Sequence, residues 1–208
     1  MSNYEFNKAR FIKTAIWPKD YPVLKDDGGR LLPEIAVAGR SNVGKSSLLN
    51  HLLQSKGLVK TSSVPGKTQA INFFVIGEKE SLTFVDLPGY GYAQVPVETR
   101  KQWGPMVEKY FKEREALKVI LFLFDIRRMP NEDDYRFIEW VIHYQKAMIL
   151  VFTKVDKVTK NEKKANADKI LKALGVENIH YVYYSATKNE GRKELQNMLL
   201  DAIKDESE

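Results

Sequence analysis

Eight residues, Gly39-Arg40-Ser41-Asn42-Val43-Gly44-Lys45-Ser46, limit the fold of this 208-residue chain more than any other stretch. They fit the pattern G-x-x-x-x-G-K-[ST] and directly follow the apolar run Ile35-Ala36-Val37-Ala38. Such a loop must turn sharply out of a buried strand and bring backbone N–H groups close to phosphate oxygens, which is why glycines flank it. A helix opening at Lys45 or Ser46 aims its N-terminal dipole at the same charge. Lys45 can neutralise terminal phosphates, and the Ser46 hydroxyl can ligate Mg²⁺. The rival reading is a glycine turn that holds no ligand.

Elsewhere, short β-branched and aliphatic runs alternate with longer helical patterns. Strands are expected at Ile35 to Ala38, Ile71 to Ile76, Leu82 to Val85, Val119 to Asp125, Met148 to Thr153 and Tyr181 to Tyr184. Gly77-Glu78-Lys79-Glu80 would turn between the second and third. Helices are expected from Lys45 or Ser46 onward, and near Glu98 to Glu115, Asn131 to Gln145, Asn161 to Leu174 and Glu190 to Ile203. The runs at 119–125 and 148–153 are apolar on both faces, as central parallel strands must be. The alternation predicts an α/β fold, a doubly wound, mostly parallel six-stranded sheet with helices on both faces.

Residues 1–30, with Phe6, Phe11, Ile12, Ile16 and Trp17, read as an N-terminal arm packed on a domain spanning 31–204. The acidic residues 205–208 read as a frayed tail. The chain has no cysteine, which suits a reducing cytosol. Its start lacks an apolar run, and its longest apolar stretch, Val119 to Phe124, is far short of the roughly 20 residues of a membrane span. A soluble, cytoplasmic protein is expected. The net charge of +6 favours a polyanionic partner, although simple solubility explains it equally well.

Three further motifs follow the phosphate loop in order. After the strand at 82–85 comes Asp86-Leu87-Pro88-Gly89, where the carboxylate can hold Mg²⁺ through water and the Gly89 N–H can meet a γ-phosphate. Between the two lies Pro65-Gly66-Lys67-Thr68-Gln69, followed by Ala70, all from Gly66 on being candidate nucleotide contacts. Thr68 is the natural second hydroxyl ligand for Mg²⁺, reached only when a γ-phosphate is present. Its rival role is to cap a turn. Thr153-Lys154-Val155-Asp156 ends an apolar strand, and Asp156 can accept from the N1–H and exocyclic amine of guanine. Adenine lacks that donor pair. The Lys154 stem can lie along the base, and in Tyr184-Ser185-Ala186 the Ala186 N–H can address guanine O6.

These motifs resemble those of a Ras-like P-loop GTPase, and specifically of the EngB (YihA/YsxC) family of bacterial GTPases. The match rests on 39–46, 65–69, the extended Asp86-Leu87-Pro88-Gly89-Tyr90-Gly91-Tyr92-Ala93, 153–156 and 184–186, with the arm around Phe11-Ile12-Lys13-Thr14-Ala15. The resemblance implies binding of GTP and GDP and Mg²⁺-dependent hydrolysis, with Lys45, Thr68 and Gly89 catalytic and Ser46, Thr68 and Asp86 around the metal. It further implies assembly of the large ribosomal subunit, with that subunit or its precursor and its rRNA as partners, and a need in cell division and septation. No DNA partner and no membrane insertion are expected, and the chain is expected to be monomeric.

Ras-type enzymes orient the attacking water with a glutamine directly after the D-x-x-G glycine. Tyr90 stands there in this chain, so turnover without a partner is expected to be slow. Gln94 is near in sequence, but nothing puts it in the site. In related GTPases an asparagine at the position of Asn42 helps hold K⁺. Two readings stay open: Asn42 ligates K⁺ with help from the 65–68 loop, or it only stabilises the phosphate loop.

His51, His143 and His180 lack metal-ligand spacing. Trp17, Trp103 and Trp140 read as packing residues. Lys157, Lys160, Lys163, Lys164, Lys169 and Lys172, like Arg127-Arg128, form either a solvated face or an RNA contact. Tyr90 and Tyr92 read as switch-loop packing, with stacking on RNA bases as the alternative. The competing functions are a signalling switch that binds a division or membrane-associated protein, and a P-loop ATPase that 153–156 argues against.

Overall fold

Period-two alternation along the strands sends successive side chains into two separate cores. Ile35 and Val37 pack on one face of the sheet with Leu121, Leu123 and Val151, while Ala36 and Ala38 pack on the other with Ile120, Phe122, Phe124 and Phe152. Because both faces are covered, the strands read as continuous apolar runs. The computed structural model describes residues 5–59, 70–77, 81–91, 97–176 and 178–204, with backbone alone over 97–102.

Among these residues the strands are β1 (Ala9–Ala15), β2 (Glu34–Gly39), β3 (Ile71–Ile76), β4 (Leu82–Asp86), β5 (Leu117–Asp125), β6 (Ala147–Thr153) and β7 (Tyr181–Tyr184). The helices are α1 (Lys45–Leu52), α2 (Val97–Glu113), α3 (Glu132–His143), α4 (Lys160–Leu174) and α5 (Arg192–Ile203). The sheet order is β1-β3-β4-β2-β5-β6-β7. Pairing is parallel from β4 through β7 and antiparallel at β1–β3 and β3–β4. Leu48, Leu49 and Leu52 of α1 and Leu195, Leu199 and Ile203 of α5 cover one face. Val107 and Phe111 of α2, Phe137 and Val141 of α3, and Ile170 and Leu174 of α4 cover the other. Each such fully buried side chain contributes roughly 1.5–3 kcal/mol.

The α/β, doubly wound architecture is the expected one, but the sheet has seven strands rather than six. The seventh comes from the arm. β1 runs antiparallel to β3, with a register shift between Phe11 and Lys13. It pairs the edge of β3, whose N–H and C=O groups would otherwise stand open. Its sequence, Ala-Arg-Phe-Ile-Lys-Thr-Ala, lacks clean alternation because only its last residue is buried. Trp17 also departs from expectation: it is 61% exposed, whereas Trp103 is buried and Trp140 partly so.

All the parallel strands end on one side of the sheet. Register brings Val37 beside Asp86, Gly39 beside Leu123, Asp125 beside Thr153, and Thr153 beside Tyr184. The loops carrying the sequence motifs therefore share the carboxyl edge, where open α/β sheets bind ligands.

Candidate nucleotide site

The phosphate loop leaves β2 at Gly39. A Cβ there would lie 2.7 Å from the Leu123 carbonyl oxygen, so glycine alone lets β2 approach β5 this closely. The loop closes with Val43 N donating to Arg40 O at 3.2 Å. At its far end Gly44 has φ +113° and caps α1, a conformation a side chain would strain. Gly44, Lys45 and Ser46 thus head a helix whose first-turn N–H groups have no partners within the helix. On its other side the loop is tied down by the 153–156 segment. Thr153 Oγ1 donates to Val43 O at 2.8 Å, and Lys154 Nζ donates to Asn42 O at 2.7 Å. These bonds occupy carbonyls and leave the helix-heading N–H groups free to meet an anion.

The 86–89 segment lies against this loop. Leu87 N donates to Val37 O at 3.0 Å, and Trp103 Nε1 donates to Pro88 O at 2.7 Å. A Cβ on Gly89 would come within 3.0 Å of Lys45 Nζ and of the Ser41 Cα and N. Glycine is therefore what allows the segment so near Lys45. Burial pulls the Lys45 ammonium below the usual lysine range, opposed by the charge of Asp86. Burial likewise pushes the Asp86 carboxyl above its usual range, opposed by Lys45 and by a hydrogen bond from Asn72. Asp86 Oδ1 is buried and has no hydrogen-bond donor among the described residues. An orphaned carboxylate oxygen coupled to the Lys45 ammonium, on the strand paired with the one that leads into α1, fits a hydrated divalent cation.

Arg40 belongs to the loop by its backbone, but its side chain turns outward. Its Nε donates to Asp134 Oδ1 at 3.0 Å, and its Nη2 pairs with Asp134 Oδ2 and donates to Met129 O at 3.1 Å. Tyr90 is buried beside it, its hydroxyl donating to the same Oδ1 at 2.7 Å. It packs as expected: its ring lies 5.0 Å from that of Trp103 and 6.1 Å from that of Phe137.

In the 153–156 segment, Lys154 adopts φ +60° and Val155 is buried. Asp156 Oδ1 accepts from Ser185 Oγ at 2.7 Å, and Lys157 Nζ lies 3.4 Å from Oδ2. The Ser185 hydroxyl holds this carboxyl below its usual range, so it is ready as an ionised acceptor. Ser185 and Glu190 exchange backbone hydrogen bonds at 3.1 and 3.0 Å, which sets the loop carrying Ala186. Tyr184 is buried, and its hydroxyl meets His51 Nδ1 at 2.7 Å. His51 Nε2 lies 3.0 Å from Asn189 Oδ1, so this histidine joins α1 to the loop after β7.

Gly66, Lys67, Thr68 and Gln69, with Pro65, lie outside the described residues, as do Tyr92, Ala93 and Gln94. Ala70 is buried just ahead of β3. Sequence reasoning missed Asp125, which accepts from Arg127 and ion-pairs with Lys154 Nζ at 3.1 Å. Burial opposes ionisation there, yet the Arg127 and Lys154 hydrogen bonds bring Asp125 down to about 2. It also missed Asp134, although Asn131-x-x-Asp134 is a legible capping box. Lys157, Lys160, Lys164, Lys169, Lys172, Arg127 and Arg128 are exposed, while Lys163 pairs with Glu190. No described helix is long and apolar enough to cross a membrane.

A family model described as 50S ribosome-binding GTPase matches residues 34–154. The probable GTP-binding protein EngB of Protochlamydia amoebophila is 59% identical over 199 residues, covering 96% of both chains. That of Trichlorobacter lovleyi is 46% identical over 202 residues, covering 97% of this chain and 98% of its own. A crystal structure of a probable GTP-binding protein engB has the same fold, with a TM-score of 0.68 at 21% identity over 82% of this chain and 98% of that one. Era, solved with MgGDPNP and a segment of 16S ribosomal RNA, gives a TM-score of 0.64 at 25% identity over 82% of this chain and 56% of its own.

Proposed function

The chain belongs to the EngB family of GTP-binding proteins and is a GTPase, and we propose that it serves as an assembly factor for the large ribosomal subunit. Its GTP form would dock on a maturing subunit and leave after hydrolysis. The observation that carries this reading is the match of residues 34–154 to a family described as ribosome-binding GTPases. A net charge of +6 and exposed Lys157, Lys160, Lys164, Lys169 and Lys172 suit contact with rRNA. Such a factor works as a cytoplasmic monomer, touches neither DNA nor the membrane interior, and supports normal division and septation through ribosome supply.

In this reading the N–H groups heading α1 and the Lys45 ammonium hold the phosphates, and Gly89 N–H addresses the terminal one. Asp156 and Ala186 N–H select guanine, with the Lys154 stem against the base. Ser46, Asp86 and Thr68 would surround Mg²⁺, which neutralises phosphate charge as the terminal bond breaks. The metal in the Era complex supports that assignment. Asn42, whose carbonyl is already bound by Lys154, would offer its side chain to K⁺. Tyr90, engaged by Asp134, has no group with which to place water, so turnover without a partner is slow.

The test is co-sedimentation of the protein with ribosomal subunits and their precursors, comparing a non-hydrolysable GTP analogue with GDP across salt concentrations. Binding to the large subunit that strengthens with the analogue and weakens steeply with salt supports the reading. No pelleting in either state would favour a switch that acts on a protein partner.

A further inference from the structure

We infer that Tyr90 is a positioning residue for the terminal phosphate, acting through a latch made of its hydroxyl, Asp134 and Arg40. One carboxylate joins three pieces of chain. Asp134 Oδ1 accepts from Tyr90 and from Arg40 Nε, at 2.7 and 3.0 Å. Asp134 Oδ2 accepts from Arg40 Nη2 and from the Asn131 backbone N, the latter at 2.8 Å. Asp134 is fully buried, so each of these donors offsets a desolvation cost that an unpaired carboxylate would suffer. Arg40 comes from the phosphate loop, Tyr90 from the segment after Gly89, and Asp134 from the first turn of α3.

The latch is rigid where it matters. Tyr90 O accepts from Ser41 N at 2.9 Å, and Arg40 and Tyr90 form an isolated parallel bridge. The Tyr90 ring is confined by Trp103 and Phe137, and Trp103 also holds Pro88 O. Gly89 is bracketed between Pro88 and Tyr90 and lies so close to Ser41 and Lys45 that an added Cβ would come within 3.0 Å of each, tighter than van der Waals contact. A shift of Gly89 relative to Lys45 would strain the Tyr90 backbone bond to Ser41 and its hydroxyl bond to Asp134. The residue at this position does not orient water; it fixes the N–H that tells a triphosphate from a diphosphate. A hydroxyl that meets a buried carboxylate contributes enough to bias such a two-state segment.

The inference rests on the GTPase activity alone and not on ribosome docking. Tyr90→Phe deletes the hydroxyl and keeps the ring. We expect it to keep GDP affinity while lowering the ratio of GTP-analogue to GDP affinity about fivefold to tenfold. Its kcat should fall, and Arg40→Lys, which keeps charge but loses the two-pronged geometry, should shift the ratio the same way. Thermal unfolding of both variants reports on folding, and Tyr90→Phe keeps the test open should Arg40→Lys not fold. An unchanged ratio and kcat in folded Tyr90→Phe, or equal weakening of both nucleotides, would overturn the proposal. Wild-type protein that binds neither nucleotide would instead overturn the GTPase reading.

Discussion

Lys154 Nζ donates to the Asn42 carbonyl at 2.7 Å, so the 153–156 segment holds the 39–46 loop directly. The same ammonium sits 3.1 Å from Asp125 Oδ2. Replacing Lys154 with methionine keeps the stem and deletes the charge. Affinity for GTP and GDP should fall together, by about 1.5–3 kcal/mol, because the loop bond is independent of the third phosphate. Titration with a fluorescent guanine nucleotide measures it; a loss confined to GTP would contradict this placement.

Asp156 presents an ionised carboxylate held by Ser185 at 2.7 Å. Asp156→Asn places an amide where guanine offers donors, leaving buried groups unpaired. GTP affinity should drop by about 3 kcal/mol or more, and xanthine nucleotides, which carry a carbonyl in place of the amine, should bind better than to the wild type. Competition assays with GTP, XTP and ATP give the order.

Asp125, brought to about 2 by Arg127 and Lys154, makes stability depend on acid. Its folded pKa lies below the unfolded value of about 3.9, so its contribution is present above that value and is lost as pH falls through about 2. The loss should be on the order of 1–2 kcal/mol, discounted because Arg127 is 43% exposed. Chemical unfolding from pH 6 to pH 2 should show a shallower decline in Asp125→Asn than in the wild type.

Glu34 is fully buried at the start of β2, accepting from Tyr110 Oη and Arg114 Nε, each at 2.9 Å. Glu34→Ala strands the Arg114 guanidinium and the Tyr110 hydroxyl in the core. It should destabilise the fold by about 3–5 kcal/mol. Nucleotide affinity of the remaining folded fraction should hold, since these groups lie at the opposite end of β2 from Gly39. Differential calorimetry with and without GDP separates the two effects.

What the sequence made legible was whatever local chemistry dictates. Continuous apolar runs announced the buried parallel strands, and the glycines at 39, 44 and 89 sit where the backbone turns or approaches closely. β1 stayed hidden because an edge strand needs no apolar alternation, and residues 1–30 read only as an arm packed on the domain. The Arg40–Asp134 pair spans 94 residues, and no spacing rule connects a loop arginine to a helix-capping aspartate. Asp125 was read only as the end of a strand, since its partners become neighbours through parallel pairing of β5 with β6.

The most direct test of the account is single-turnover GTP hydrolysis by the full chain in potassium buffer, alone and with purified large or small ribosomal subunits. The expected result is slow hydrolysis alone and acceleration of about tenfold or more by the large subunit only, because Tyr90 is committed to Asp134 and, in the proposed function, the large subunit would complete the site. Equal rates with and without the large subunit would contradict it.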